Sequence, residues 1–141
     1  MWKRGEHMKL IFCIDDKMGM MFFGKRQSKD RNLREWIINK VENSALWMSE
    51  YSAKQFDEHK QIIVDNHYLE KAKEEEYCFV EDGDYDFEKA CGVILCHWNR
   101  QYPADKFFDR TKLDEEFSLV RTEDMIGSSH EKITIEIYER R

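Results

Sequence analysis

The residues KLIFCI, 9 to 14, constrain the fold more than any other stretch of the chain. After Lys9 the run is wholly apolar, and it stops abruptly at Asp15 and Asp16. A short apolar run bounded by charge is what a strand covered on both faces requires, because neither of its faces meets water. ALWMS (45 to 49), QIIV (61 to 64), YCFV (77 to 80) and VILCHW (93 to 98) repeat the pattern. Helical spacing separates them. Leu33, Trp36, Ile37 and Val41 recur at intervals of three and four behind Asp30, a residue suited to cap a helix, and Asn66 is placed to cap HYLEKAKEEE. Short helices are expected near AKQF and YDFEKA.

The last third changes period. In KITIEIYE, Ile133, Ile135 and Ile137 alternate with Lys132, Thr134, Glu136 and Tyr138, which is the two-residue repeat of a strand, and FSLVRT is its natural partner. Strands alternating with helices, then a closing hairpin, predict an α/β fold: a mostly parallel, doubly wound sheet with a C-terminal antiparallel strand. The 141 residues suit one domain, expected over 8–141 behind a loose extension at 1–7, since Met8 opens the first strand.

Charge and cysteine usage narrow the function classes. The net charge of -6 argues against a general nucleic-acid or anionic-membrane binder, because phosphate backbones select for Lys and Arg. No apolar run approaches a membrane span, and the opening residues lack the pattern of a signal peptide. Cys13, Cys78, Cys91 and Cys96 sit in or beside apolar segments with no C-x-x-C spacing, so reduced thiols in a cytoplasmic protein are expected, with no metal site.

At this point the order of motifs resembles that of the dihydrofolate reductases. MKLIFCIDDKMGMMFFGKRQSKDRNLREW is similar to that family's opening strand, glycine-bearing loop and first helix. VILCHWNRQYPADKFFD, FSLVRTED and KITIEIYERR resemble its final strands, and ALWMSEYSAKQF its strand and helix that carry cofactor contacts. The resemblance implies an eight-stranded sheet and a cleft shared by a pterin and NADPH. On it, Gly19 matches the loop glycine, with Met20 beside it, and Asp30 falls within one position of the carboxylate that holds the pterin. Asp30 is therefore either the catalytic group or a plain helix cap.

Other positions depart from the family. GKRQSK stands where a Pro-Trp pair helps to wall the nicotinamide site, and Ser49 and Glu50 stand where a glycine and a phosphate-facing arginine belong. The arginine for the substrate's tail falls near His59 or Lys60. After YCFV the family has adjacent glycines whose amides approach the cofactor's pyrophosphate; here Glu81 and Asp82 occupy those places, followed by Gly83. Two carboxylates beside a diphosphate repel it by about 1 kcal/mol per close pair in water and several times that in a sheltered cleft. The acids of this turn also suit plain solvation and capping.

These departures lead to the expectation of a reductase-like protein without NADPH-dependent reductase activity, using no cofactor and binding a small molecule or a protein in a cleft lined by Gly19, Met20, Ser49, Glu50, Glu81, Asp82, Gly83 and Cys96. A first alternative is an NAD(P)H-dependent pterin or dihydrofolate oxidoreductase with an atypical cofactor site, in which NADPH binds and Asp30 is catalytic. A second is an RNA-associated protein using the basic patch Lys25, Arg26, Lys29 and Arg31. D-G-D-Y-D lacks the order of a calcium loop, and His97 is expected to be a hydrogen-bonded core histidine. Small bacterial proteins resembling this one are often labelled ribonuclease Z. That class needs an H-x-H-x-D-H run of zinc ligands, whereas His7, His59, His67, His97 and His130 are scattered singly.

Overall fold

The computed structural model describes residues 7–141, so all but the last residue of the extension expected at 1–7 lies outside the described residues. In chain order the elements are β1 (Met8–Ile14), β2 (Gly19–Phe22), β3 (Lys25–Arg26), α1 (Arg31–Val41), β4 (Leu46–Met48), α2 (Glu50–Ala53), β5 (Ile62–Val64), α3 (Tyr68–Lys71), β6 (Tyr77–Phe79), β7 (Ala90–His97), β8 (Lys106–Phe107), α4 (Arg110–Glu116), β9 (Phe117–Met125) and β10 (Ile133–Arg140). A single 3-10 turn, Phe87–Lys89, precedes β7.

Seven strands form one sheet in the order β5-β4-β6-β1-β7-β10-β9. β1 lies between β6 and β7 and runs parallel to both, and β4 runs parallel to β5 and β6. β10 alone is reversed, antiparallel to β7 and to β9. The reversed strand is thus interior, and β9 forms the edge. The main sheet has seven strands rather than the eight implied by the resemblance.

The central apolar runs are buried on both faces, as their sequence requires, whereas QIIV became the edge strand β5 with Ile63 and Val64 exposed. Leu10, Phe12 and Ile14 of β1 pack with Val93, Leu95, Phe108, Leu113 and Phe117 on one face; Ile11 packs with Ile94, Cys96, Ile133 and Ile135 on the other, beneath Leu33, Ile37 and Val41 of α1. Alternate side chains of one strand therefore serve two cores, which is why the run has no polar interruption.

Two features depart from the sequence reading. The helix expected behind Asn66 shrinks to the single turn α3, because KEEE offers no apolar face and Ala72 turns extended (ψ 142°). Asn66 Oδ1 instead accepts from the Glu50 amide at 3.0 Å, serving α2. A second sheet, β3-β2-β8, was not expected. Its β2–β3 hairpin turns at Phe23 and Gly24, both at positive φ (50° and 70°), the conformation that matches the twist of paired strands. The hairpin lies between β1 and α1 in the chain, β8 joins from beyond β7, and the hairpin delivers Arg26 of β3 to Glu81 after β6. All four cysteines are free thiols, Cys78 and Cys96 buried and Cys13 and Cys91 half-buried.

Candidate functional site

Charge collects where β4 and β6 end. β6 runs on into Glu81, whose side chain is only 8% exposed. Arg26 of β3 meets it through two parallel contacts, Nε to Oε2 at 3.1 Å and Nη2 to Oε1 at 3.2 Å, and Ser52 Oγ donates to Oε1 at 2.8 Å. The guanidinium lies 4.3 Å from the ring centroid of Tyr51 and donates to the Tyr51 carbonyl at 3.0 Å. The Arg26 amide donates to the Tyr51 hydroxyl at 2.7 Å. Planar, bidentate and stacked, this is a geometry that lysine could not reproduce. Lys106 of β8 adds a second cation, donating to the carbonyls of Glu81 and Gly83 at 3.3 and 3.0 Å.

Asp82 points elsewhere. Its Oδ1 accepts from Ser49 Oγ at 2.8 Å, while the same serine caps α2 by accepting from the Ser52 amide at 3.2 Å. Ser49, Glu50, Asp82 and Gly83 line one open cleft of about 390 Å³ with Tyr51, Lys54, Asn66 and Tyr68. Glu81, expected among them, does not line this cleft and is held by Arg26 instead. The Tyr68 hydroxyl is buried at its wall without a hydrogen-bond partner, and a Cβ on Gly83 would come within 2.9 Å of it. Burial first, then the charges of Asp82 and Glu81, push the Tyr68 pKa far up, so the phenol stays protonated.

The remaining residues expected in the cleft pack elsewhere. Gly19 donates its amide to Asp15 Oδ1 at 2.8 Å, and a Cβ there would meet Ala104 Cβ at 2.6 Å, so close packing accounts for this glycine. Met20 is part of the core, and Cys96 sits on β7 opposite Cys13 of β1. Burial alone would raise the Asp15 pKa. Hydrogen bonds from the amides of Tyr102, Gly19 and Lys17 and from the Gln27 side chain outweigh it and lower the pKa.

Asp30 caps α1, accepting from the Leu33 amide at 3.1 Å, and its carboxylate is fully enclosed. The amides of Ser128 and Ser129, both at 2.9 Å, reach it from the β9–β10 turn, and His130 Nδ1 lies 3.0 Å from Oδ2. Burial by itself opposes the ionised form, yet the Ser128 and Ser129 amides, His130 and the Leu33 amide overcome it and hold the Asp30 pKa far below the usual carboxylate range. Both oxygens are occupied by the protein itself.

No family model and no curated protein matches the sequence. Among solved structures, the dihydrofolate reductase from Enterococcus faecalis, determined in complex with NADP(H) and RAB-propyl, is similar over 98% of both chains, with a TM-score of 0.65 and 11% identity. The chain has the dihydrofolate reductase-like fold. β4 and β6 are parallel neighbours in this sheet, so SEYS and EDG fall at adjacent strand ends.

The basic patch is divided by the same geometry. Arg26 turns inward to Glu81, whereas Lys25, Lys29 and Arg31 stay exposed, the last with its amide bonded to Ser128 Oγ at 3.0 Å. His97 lies 2.5 Å from Glu136 Oε1, which also accepts from the Tyr138 hydroxyl at 3.2 Å; burial and the Glu136 charge push Tyr138 up to about 12. Ser28, Tyr102 and His130 were not singled out together by sequence reasoning. Nothing in their spacing links them, because GSSHEK reads as an ordinary polar turn. Among the described residues no helix is long and apolar enough to cross a membrane.

Proposed function

We propose that this chain keeps the reductase-like scaffold without nicotinamide-dependent reductase chemistry, and that it binds a small molecule or a protein at the cleft where β4 and β6 end. The observation that carries this reading is the Arg26–Glu81 pair. Two short contacts, the Tyr51 ring and the Ser52 hydroxyl hold it at the end of β6. A diphosphate seated there would have to displace Arg26 and leave Glu81 buried without its cation, or lie against Asp82 and Glu50 instead. The first cost is several kcal/mol, the order expected when one partner of a buried pair is removed, and the second is direct repulsion. Asp30 caps α1, and its enclosed oxygens have no free position for a pterin.

Calorimetric titration of the full chain with NADPH and with NADH tests the reading. No binding at ligand concentrations up to about a millimolar is expected, an affinity limit of roughly -4 kcal/mol. Micromolar binding of either nucleotide would overturn it. So would oxidation of NADPH coupled to dihydrofolate that disappears in Asp30→Asn.

A further inference from the structure

His130, in the turn between β9 and β10, has no part in the cleft just described. Its imidazole is 2% exposed and stacks on Trp98 with centroids 4.6 Å apart. Nδ1 lies 3.0 Å from Asp30 Oδ2, and Nε2 lies 3.2 Å from Ser28 Oγ and 3.0 Å from the Tyr102 hydroxyl. Asp30 accepts from three backbone amides, so it is an anion, and an anion at Nδ1 places the ring proton there. The tautomer is assigned from this network. Nε2 is then an acceptor directed at two hydroxyl groups. Ser28 is half-buried, on the segment between β3 and α1, and so reaches the surface that the imidazole does not.

Nucleophile, base and orienting carboxylate thus stand in order at hydrogen-bond distance, with chain order Ser28, Asp30, His130. The geometry points to a Ser–His–Asp acyl-transfer site that hydrolyses small carboxylic esters, separate from the cleft at the ends of β4 and β6. In the first step Ser28 Oγ bonds to the ester carbonyl carbon and its proton passes to His130 Nε2. The carbon–alkoxide bond breaks and the leaving oxygen takes that proton. Water then attacks the acyl-serine, losing a proton to Nε2. Ser28 Oγ departs and recovers this proton, so that ester and water become acid and alcohol. The amides of Lys29 and Asp30, between the nucleophile and the first turn of α1, are the nearest backbone donors in sequence for the oxyanion, where the helix end also favours negative charge. Asp30 acts through His130 and is a positioning residue.

A purely structural His130, stitching the hairpin to α1, requires nothing of Ser28, and the test uses that difference. The full chain is treated with a fluorophosphonate probe and mapped by mass spectrometry, alongside hydrolysis of p-nitrophenyl acetate. The expected result is a single adduct on Ser28, lost in Ser28→Ala, and reduced by about 100-fold or more in His130→Gln. Thermal melting of Ser28→Ala, expected to match the unmodified chain, checks that the variant is folded. Asp30→Asn should lower the labelling rate and remove a downfield Nδ1 proton resonance of His130 in the proton NMR spectrum. No adduct on Ser28 of the folded protein overturns the assignment, as does ester hydrolysis left unchanged by Ser28→Ala. Neither result bears on nucleotide binding, so this assignment and the proposed function fail independently.

Discussion

Glu81 and Asp30 are both buried carboxylates gripped by distant parts of the chain, yet they are satisfied in opposite ways. Glu81 meets a cation, the guanidinium of Arg26, and a serine hydroxyl. Asp30 meets three amides, a hydroxyl and an imidazole, with no Lys or Arg paired to it among the described residues. One charge is neutralised by a single long side chain. The other is held by oriented dipoles whose positions are set by the path of a loop. The first arrangement depends on one residue and occupies a strand end where a ligand could have been; the second locks the β9–β10 turn to the start of α1.

The contrast can be broken most forcefully at Arg26. Arg26→Ala leaves Glu81 buried without its cation and should cost about 3–5 kcal/mol in denaturant unfolding. Replacing both partners, Arg26→Met with Glu81→Leu, should recover most of the loss, because neither charge then needs solvation. A double variant no more stable than Arg26→Ala would show that the pair is not the unit that matters.

Asp30→Ala strands three backbone amides, a hydroxyl and an imidazole and removes the cap of α1, for about 3 kcal/mol at neutral pH. Here pH adds a second test. The folded pKa of Asp30 lies below its unfolded value, so its contribution is complete above the unfolded value of about 4. It fades as pH falls from there through the folded pKa. Asp30→Asn should therefore flatten the acid limb of the stability curve below about pH 4, while variants at Arg26 retain that component. An unchanged acid limb in Asp30→Asn would remove the distinction between the two carboxylates.

Gly127 offers a finer probe of the oriented dipoles. A Cβ at this position would lie 2.5 Å from Asp30 Oδ2 and 2.7 Å from the His130 carbonyl. Gly127→Ala must move the turn and should cost about 1–3 kcal/mol, with loss of amide exchange protection at Ser128 and Ser129. A change nearer zero would show that the turn adapts freely around the carboxylate.

Much of the scaffold is legible in the sequence. Each of the five apolar runs became a strand of the main sheet; burial on both faces accounts for the central ones, while QIIV, at the edge as β5, leaves Ile63 and Val64 exposed. Asp30 ahead of Leu33, Ile37 and Val41 became a capped helix for the same kind of reason. The strict alternation of 132 to 139 became β10. Where the local signal was thin, reading failed: KEEE carries no apolar face to hold a helix after Asn66, α4 is short and polar, and the small β3-β2-β8 sheet is built of strands of two to four residues, of which β8 joins from far along the chain. Ser49, Glu50, Asp82 and Gly83 gather in one cleft, but Gly19, Met20 and Cys96 pack away from it, and the inward turn of Arg26 has no counterpart in the letters GKRQSK.

What the sequence by itself determined is therefore the set of strands, the capped first helix and the acidic turn after β6, all of which rest on periodicity or on neighbours a few residues apart. Tertiary structure alone decided that Arg26 would neutralise Glu81 and that His130 would join Asp30 to Ser28. These contacts span 55, 100 and 102 residues. Hydrogen bonds and ion pairs at such separations leave no repeat in the chain, because they are created by where the loops run once the sheet has closed.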